Sequence, residues 1–187
     1  MENILQQIKD FADHAHGEQM RRYTPERYIV HPVRVMEMCK EYTNDVTILA
    51  SALLHDVLED TPTTKEEIKD FLINIMDNNQ AERTVKLVEE LTDVYVRSKY
   101  PQWNRRKRKA MEADRMEKTS ADSQTVKYAD IIDNCVEIVN YQTDDFAEKF
   151  LLECKSLLKR INKGDNKLYQ RAVQTVDNCI EQLKQTK

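Results

Sequence analysis

The chain has 187 residues, a third of them charged, and a formal net charge of −4. That length fits one domain, and the negative balance supplies no global field to attract nucleic acid. Nothing approaches the ~18 apolar residues of a membrane span, and Met1-Glu2-Asn3-Ile4 has neither the basic flank nor the apolar core of a signal region.

Glycine is confined to Gly17 and Gly164, and proline to Pro25, Pro32, Pro62 and Pro101. With so few helix breakers among many Glu, Lys, Leu and Gln, the expectation is an all-α protein, and without a signal region or membrane span it is expected to be cytoplasmic. Cys39, Cys135, Cys154 and Cys179 are scattered without CxxC spacing, and they read as reduced core thiols.

Ile4, Ile8, Phe11, Ala12 and Ala15 share one face of a first helix, which Gly17 is placed to stop. A polar, basic and aromatic loop from Gln19 to Val30 follows. Pro32 opens a second helix, with His31 just before it. Asp45 or Asn44 can cap a third, whose Val46, Ile48, Leu49, Leu53, Leu54 and Val57 surround the axis and predict a central, buried helix. After the Thr61-Pro62-Thr63 break, Thr64 and Glu67 have capping-box spacing, and Ile68, Phe71, Leu72, Ile75 and Met76 form an apolar face.

Asp77-Asn78-Asn79 reads as a turn before a helix marked by Val85, Leu87, Val88 and Leu91. A loop with Pro101 and Trp103 leads to a charged helix from about Arg105 to Lys118. The next helix, from Gln124 to Tyr141, carries Val126, Ala129, Ile132, Val136 and Val139, interrupted by Asp130, Asp133 and Asn134. Two closing helices over 145–187 are expected to turn Phe146, Phe150, Leu151 and Leu157 inward. Gly164 between them suits a helix C-cap.

The chemistry concentrates in Ser51-Ala52-Leu53-Leu54-His55-Asp56-Val57-Leu58-Glu59-Asp60. A buried helix that ends in four ionisable residues is costly unless they are paired or hold a metal. His55 and Asp56, roughly 100° apart on a helix, converge on one ion if the helix end faces it. His31 and Asp130 are further candidates. Two imidazoles and two carboxylates suit Mn²⁺, Fe²⁺ or a similar ion better than structural zinc. Glu59, one turn beyond Asp56, and Asp60 can orient a water or protonate a leaving oxygen. Arg21 and Arg22 offer guanidinium forks to phosphate. The Arg105–Lys109 run reads first as a charged helix face. Tyr28 and Trp103 read as core packing or as stacking partners for a base.

These residues, in this order, resemble the hydrolase domain of the RelA/SpoT-type alarmone enzymes. The likeness is greatest to the stand-alone small alarmone hydrolases, which include the metazoan SpoT homologue. It runs from about residue 16 to residue 140 through His16-Gly17-Glu18-Gln19-Met20-Arg21-Arg22, Tyr28-Ile29-Val30-His31-Pro32, Leu53 to Thr61, Leu87 to Asp93 and Lys127 to Asn134. The Glu59-Asp60 pair after His55-Asp56 marks the alarmone-hydrolase branch.

The resemblance implies a single HD phosphohydrolase domain over 1–187, with a compact multi-helix HD/PDEase-like fold. It implies one Mn²⁺ held by His31, His55, Asp56 and Asp130, with other divalent metals possible. Glu59 and Asp60 would be catalytic, and Arg21, Arg22, Lys127 and Asn134 would bind substrate. The implied reaction removes the 3′-pyrophosphate of guanosine tetra- or pentaphosphate, giving GDP or GTP and pyrophosphate. The implied partner is this small nucleotide, with neither nucleic acid nor membrane. The chain runs only 57 residues past Asp130, so degradation without synthesis is expected.

The chain departs from the family pattern at Tyr23-Thr24-Pro25-Glu26-Arg27, which lacks the usual Gly, at Ile131-Ile132-Asp133 and at Cys135-Val136-Glu137. These departures bear on the nucleotide recognised and keep two rivals open. One is an HD-type phosphatase of NADPH or a nucleoside monophosphate; the other is a non-catalytic nucleotide sensor.

Overall fold

A computed structural model describes residues 1–141 and 145–186. The described residues are helical, with no strand beyond one isolated antiparallel bridge, Met20 to Arg27. None of the helices is long and apolar enough to cross a membrane. The chain divides into two compact units, Met1–Thr92 and Asp93–Lys187.

The first unit holds α1 (Glu2–His16), α2 (Val30–Lys40), α3 (Val46–Leu54), α4 (Val57–Asp60), α5 (Lys65–Ile73) and α6 (Asn78–Leu91). Its axis is α3, buried from Thr47 to Leu54 and packed against α1, α2 and α6. Each fully buried leucine there contributes about 1.5–3 kcal/mol before the entropy of ordering it.

Asp45 caps α3, its carboxylate accepting from Thr47 N at 2.9 Å and from Arg83 Nη1 at 2.7 Å. Burial pushes the Asp45 pKa up, but the Thr47 hydroxyl, the Thr47 N–H and Arg83 outweigh it and hold it below its ordinary value. The capping box at α5 is formed: Glu67 N donates to Thr64 Oγ1, and Thr64 N donates to Glu67 Oε2.

Two boundaries beside the ionisable residues differ from expectation. The central helix ends at Leu54, so His55 and Asp56 lie in a turn, and α4 starts at Val57 with Asp56 as its N-cap. The second helix starts two residues before Pro32, which puts His31 inside its first turn. Pro is tolerated there because first-turn N–H groups have no helical partner.

The second unit holds α7 (Arg105–Met116), α8 (Ala121–Tyr141), α9 (Asp145–Leu158) and α10 (Asn166–Thr186), with α8 and α9 both against α10. The inward side of α9 is Ala147, Leu151, Cys154 and Leu158. Phe146, Phe150 and Leu157, expected inward with Leu151, are only half-buried. All four cysteines are buried and free.

Gly164 is not a left-handed cap; among the described glycines only Gly17 has positive φ, 54°. Gly164 is required for a different reason. The turn before α10 is stapled to α8: Tyr128 Oη accepts from Gly164 N at 3.1 Å and donates to Ile161 O at 3.1 Å, and Thr125 Oγ1 accepts from Asp165 N at 2.8 Å. A Cβ on Gly164 would stand 2.7 Å from Thr125 N, Thr125 Oγ1 and Tyr128 Cε2. The backbone amide among these cannot swing aside. Gly164→Ala is therefore expected to destabilise the protein by about 1–3 kcal/mol, the range for overpacking. Urea denaturation measures it, and an unchanged midpoint would show that the turn yields freely.

Candidate metal centre

The end of α3 creates the site. A helix leaves its last four carbonyls without helical partners, and Ala52 O is one of them. His55 Nδ1 lies 2.7 Å from it. A carbonyl only accepts, so Nδ1 carries a proton, and in the neutral form of the ring the lone pair falls on Nε2. That Nε2 is buried and lies 3.1 Å from Asp56 Oδ2.

From α2, the fully buried His31 brings its own Nε2 to 3.6 Å from the same oxygen. The two rings meet edge to face at a centroid distance of 5.2 Å. One donor atom from each of His31, His55 and Asp56 lies within 4.8 Å of the others.

This donor set fits a divalent cation. Two imidazole nitrogens and a carboxylate oxygen converge in a largely buried place, where a cation would satisfy all three, and mixed N/O sets suit divalent first-row ions. No cysteine belongs to the cluster.

Glu59 and Asp60 follow on α4, and both residues are exposed. Their amides donate to Asp56 O at 3.2 and 2.9 Å, which ties the pair to the ligand turn. Partial burial of the Asp60 carboxyl and then the Asp56 charge raise its pKa; Tyr28, His16 and Gln19 oppose the shift without cancelling it.

The expected substrate residues divide between the units, and Asp130, expected as the fourth ligand, is not among the three clustered donors. In the first, Arg21 is 8% exposed, with its guanidinium 5.4 Å from the Tyr28 ring centre, whereas Arg22 is exposed over Tyr23 at 5.3 Å. In the second, α8 stacks Lys127, Asp130 and Asn134 along one side. Asp130 accepts from Lys127 Nζ at 2.7 Å and from Asn134 Nδ2 at 2.6 Å. These three line a cavity of about 810 Å³ with Arg106, Lys109 and Arg160.

Sequence reasoning missed the hydroxyl of Tyr28, which donates to Asp56 Oδ2 at 2.7 Å. The only available signal was its place three residues before His31 in the loop that leads into α2.

Comparison with known proteins gives consistent results. The HD domain model matches residues 9–150. A guanosine-3′,5′-bis(diphosphate) 3′-pyrophosphohydrolase of Mus musculus is 28% identical over 96% of this chain and 92% of its own length. A protein of the same name from Aquifex aeolicus is 43% identical over 48% of this chain, but the match spans only 12% of that longer protein. A solved structure described as a metazoan ortholog of SpoT that hydrolyses ppGpp shares the fold, with TM-score 0.76 at 20% identity over 96% of this chain and 94% of its own.

Calorimetric titration of metal-stripped protein should show one divalent ion bound. His31→Ala or His55→Ala should weaken it by more than the roughly 10–100-fold that losing a ligand's outer partner costs. Undiminished binding in either variant would remove that histidine from the site.

Proposed function

The chain belongs to the HD-domain family, matched over residues 9–150, and from that premise we propose that it is a metal-dependent hydrolase of guanosine 3′,5′-bis(diphosphate). It removes the 3′-pyrophosphate, and it treats the pentaphosphate in the same way. The observation that carries this reading is the His31–His55–Asp56 donor cluster with the Glu59-Asp60 pair on the very next helix. The mouse relative, similar over nearly the full length of both chains, bears the name of this activity. We propose Mn²⁺ as the ion and Asp130 as its fourth ligand, the latter from its place in the Lys127–Asn134 motif. The chain then works as one hydrolase domain in the cytoplasm.

When bound, the ion supplies Lewis-acid polarisation of a phosphoryl oxygen and lowers the pKa of a water. The rest falls to the protein. One water attacks the phosphorus on the 3′ oxygen, the P–O bond to the ribose breaks, and the 3′ oxygen takes up a proton. GDP and pyrophosphate are released. Glu59 is assigned to hold the attacking water. Asp60 is assigned to protonate the leaving oxygen. Arg21, Arg22 and Lys127 are assigned to offset charge on the phosphates, and Asn134 to contact the nucleotide.

Mn²⁺-loaded protein should convert guanosine tetraphosphate to GDP and pyrophosphate, resolved by ion-exchange chromatography, and chelation should abolish the reaction. Glu59→Ala should retain the metal and lose about 10²–10⁴-fold in turnover, the range for a general acid–base group. Turnover of NADPH or a nucleoside monophosphate, with the alarmone left intact, would move the substrate while keeping the metal chemistry. Tight alarmone binding without turnover would make the protein a sensor.

A further inference from the structure

Tyr28 has more constraints on it than packing requires. Its backbone N–H donates to Gln19 O at 2.9 Å, beside the Met20–Arg27 bridge, so the loop between α1 and α2 folds back on itself and fixes the residue. The phenol ring then stacks on the buried His16 at 4.5 Å and 30°, lies under the Arg21 guanidinium at 5.4 Å, and meets the His31 ring edge-on at 6.1 Å. His16 is itself oriented by Gln19, whose Oε1 lies 2.9 Å from His16 Nδ1. A histidine and an arginine already lie against this ring. What it presents is the hydroxyl, donated to Asp56 Oδ2 at 2.7 Å.

We propose that Tyr28 is a positioning residue of the metal centre: its hydroxyl fixes the Asp56 carboxylate so that Oδ2 faces the His31 and His55 imidazoles. The inference rests on the metal-centre reading above. A carboxylate oxygen has two lone-pair directions. Tyr28 takes one, and that bond fixes the direction in which the other points. Without this bond the carboxylate, which sits in a turn and not within a helix, can rotate about its own side-chain torsions. Ordering it then becomes a cost of binding the ion. Partners of this kind, one bond removed from the metal, typically set affinity or activity by about 10–100-fold.

Tyr28→Phe keeps the ring and its stacking on His16 and deletes only the hydroxyl. Calorimetric titration of metal-stripped protein with Mn²⁺ should give a dissociation constant raised about 10–100-fold over wild type. The melting temperature of the metal-free protein should not change. Pyrophosphate release by the variant should rise with added Mn²⁺ over a range where the wild-type rate is already saturated, a dependence that a merely structural defect does not give. Equal Mn²⁺ affinity in the two proteins overturns the inference and leaves the hydrolase reading standing, as does a weaker affinity accompanied by a matching fall in metal-free melting temperature. A wild type that binds Mn²⁺ normally and leaves guanosine tetraphosphate intact overturns the hydrolase reading alone, and the affinity comparison still decides the role of Tyr28.

Discussion

The bond between His55 Nδ1 and the Ala52 carbonyl, 2.7 Å long at the end of α3, sets the terms for the candidate metal centre. A helix interior would have used that carbonyl in its own ladder. Because α3 stops at Leu54, the carbonyl is released and accepts a hydrogen bond from Nδ1, so in the neutral ring the lone pair falls on the far nitrogen. The burial of the whole run from Thr47 to Leu54 holds this helix end in place. An apolar core thus orients a polar site, and α2 and the Tyr28 loop deliver His31 and a hydroxyl to the same carboxylate oxygen.

The second unit solves a similar problem differently. Asp130 is buried, and burial of a lone carboxylate is expensive. Lys127 and Asn134, one turn to either side on α8, bond its two oxygens. The helix register alone assembles the trio, since residues three and four apart share a face. The α9–α10 turn clamped on Tyr128 and Thr125 holds α8 from the C-terminal side of the chain.

Much of this was legible in the residues. The all-α class followed from composition, the Asp45 cap and the Thr64–Glu67 box from local capping chemistry, the candidates His55 and Asp56 from ionisable groups at the edge of an apolar run, and the candidate His31 from its place just before Pro32. What stayed hidden depends on tertiary placement. Periodicity carried the central helix through Val57, because Val57 is apolar and buried in either conformation. Arg21 in a polar loop gives no sign that it will be buried against a tyrosine ring. Phe146, Phe150 and Leu157 are as apolar as their neighbours, but α9 turns a different face inward. Gly164 shows its turn in the sequence and hides its reason, a close approach to a helix some forty residues earlier.

The central claim is that one divalent ion is held where His31, His55 and Asp56 converge. Crystals of Mn²⁺-loaded protein, with anomalous diffraction recorded above and below the manganese absorption edge, test it most directly. The account predicts an anomalous peak bounded by the Nε2 atoms of His31 and His55 and a carboxylate oxygen of Asp56. A fully loaded protein whose manganese peak lies away from these three residues would contradict it.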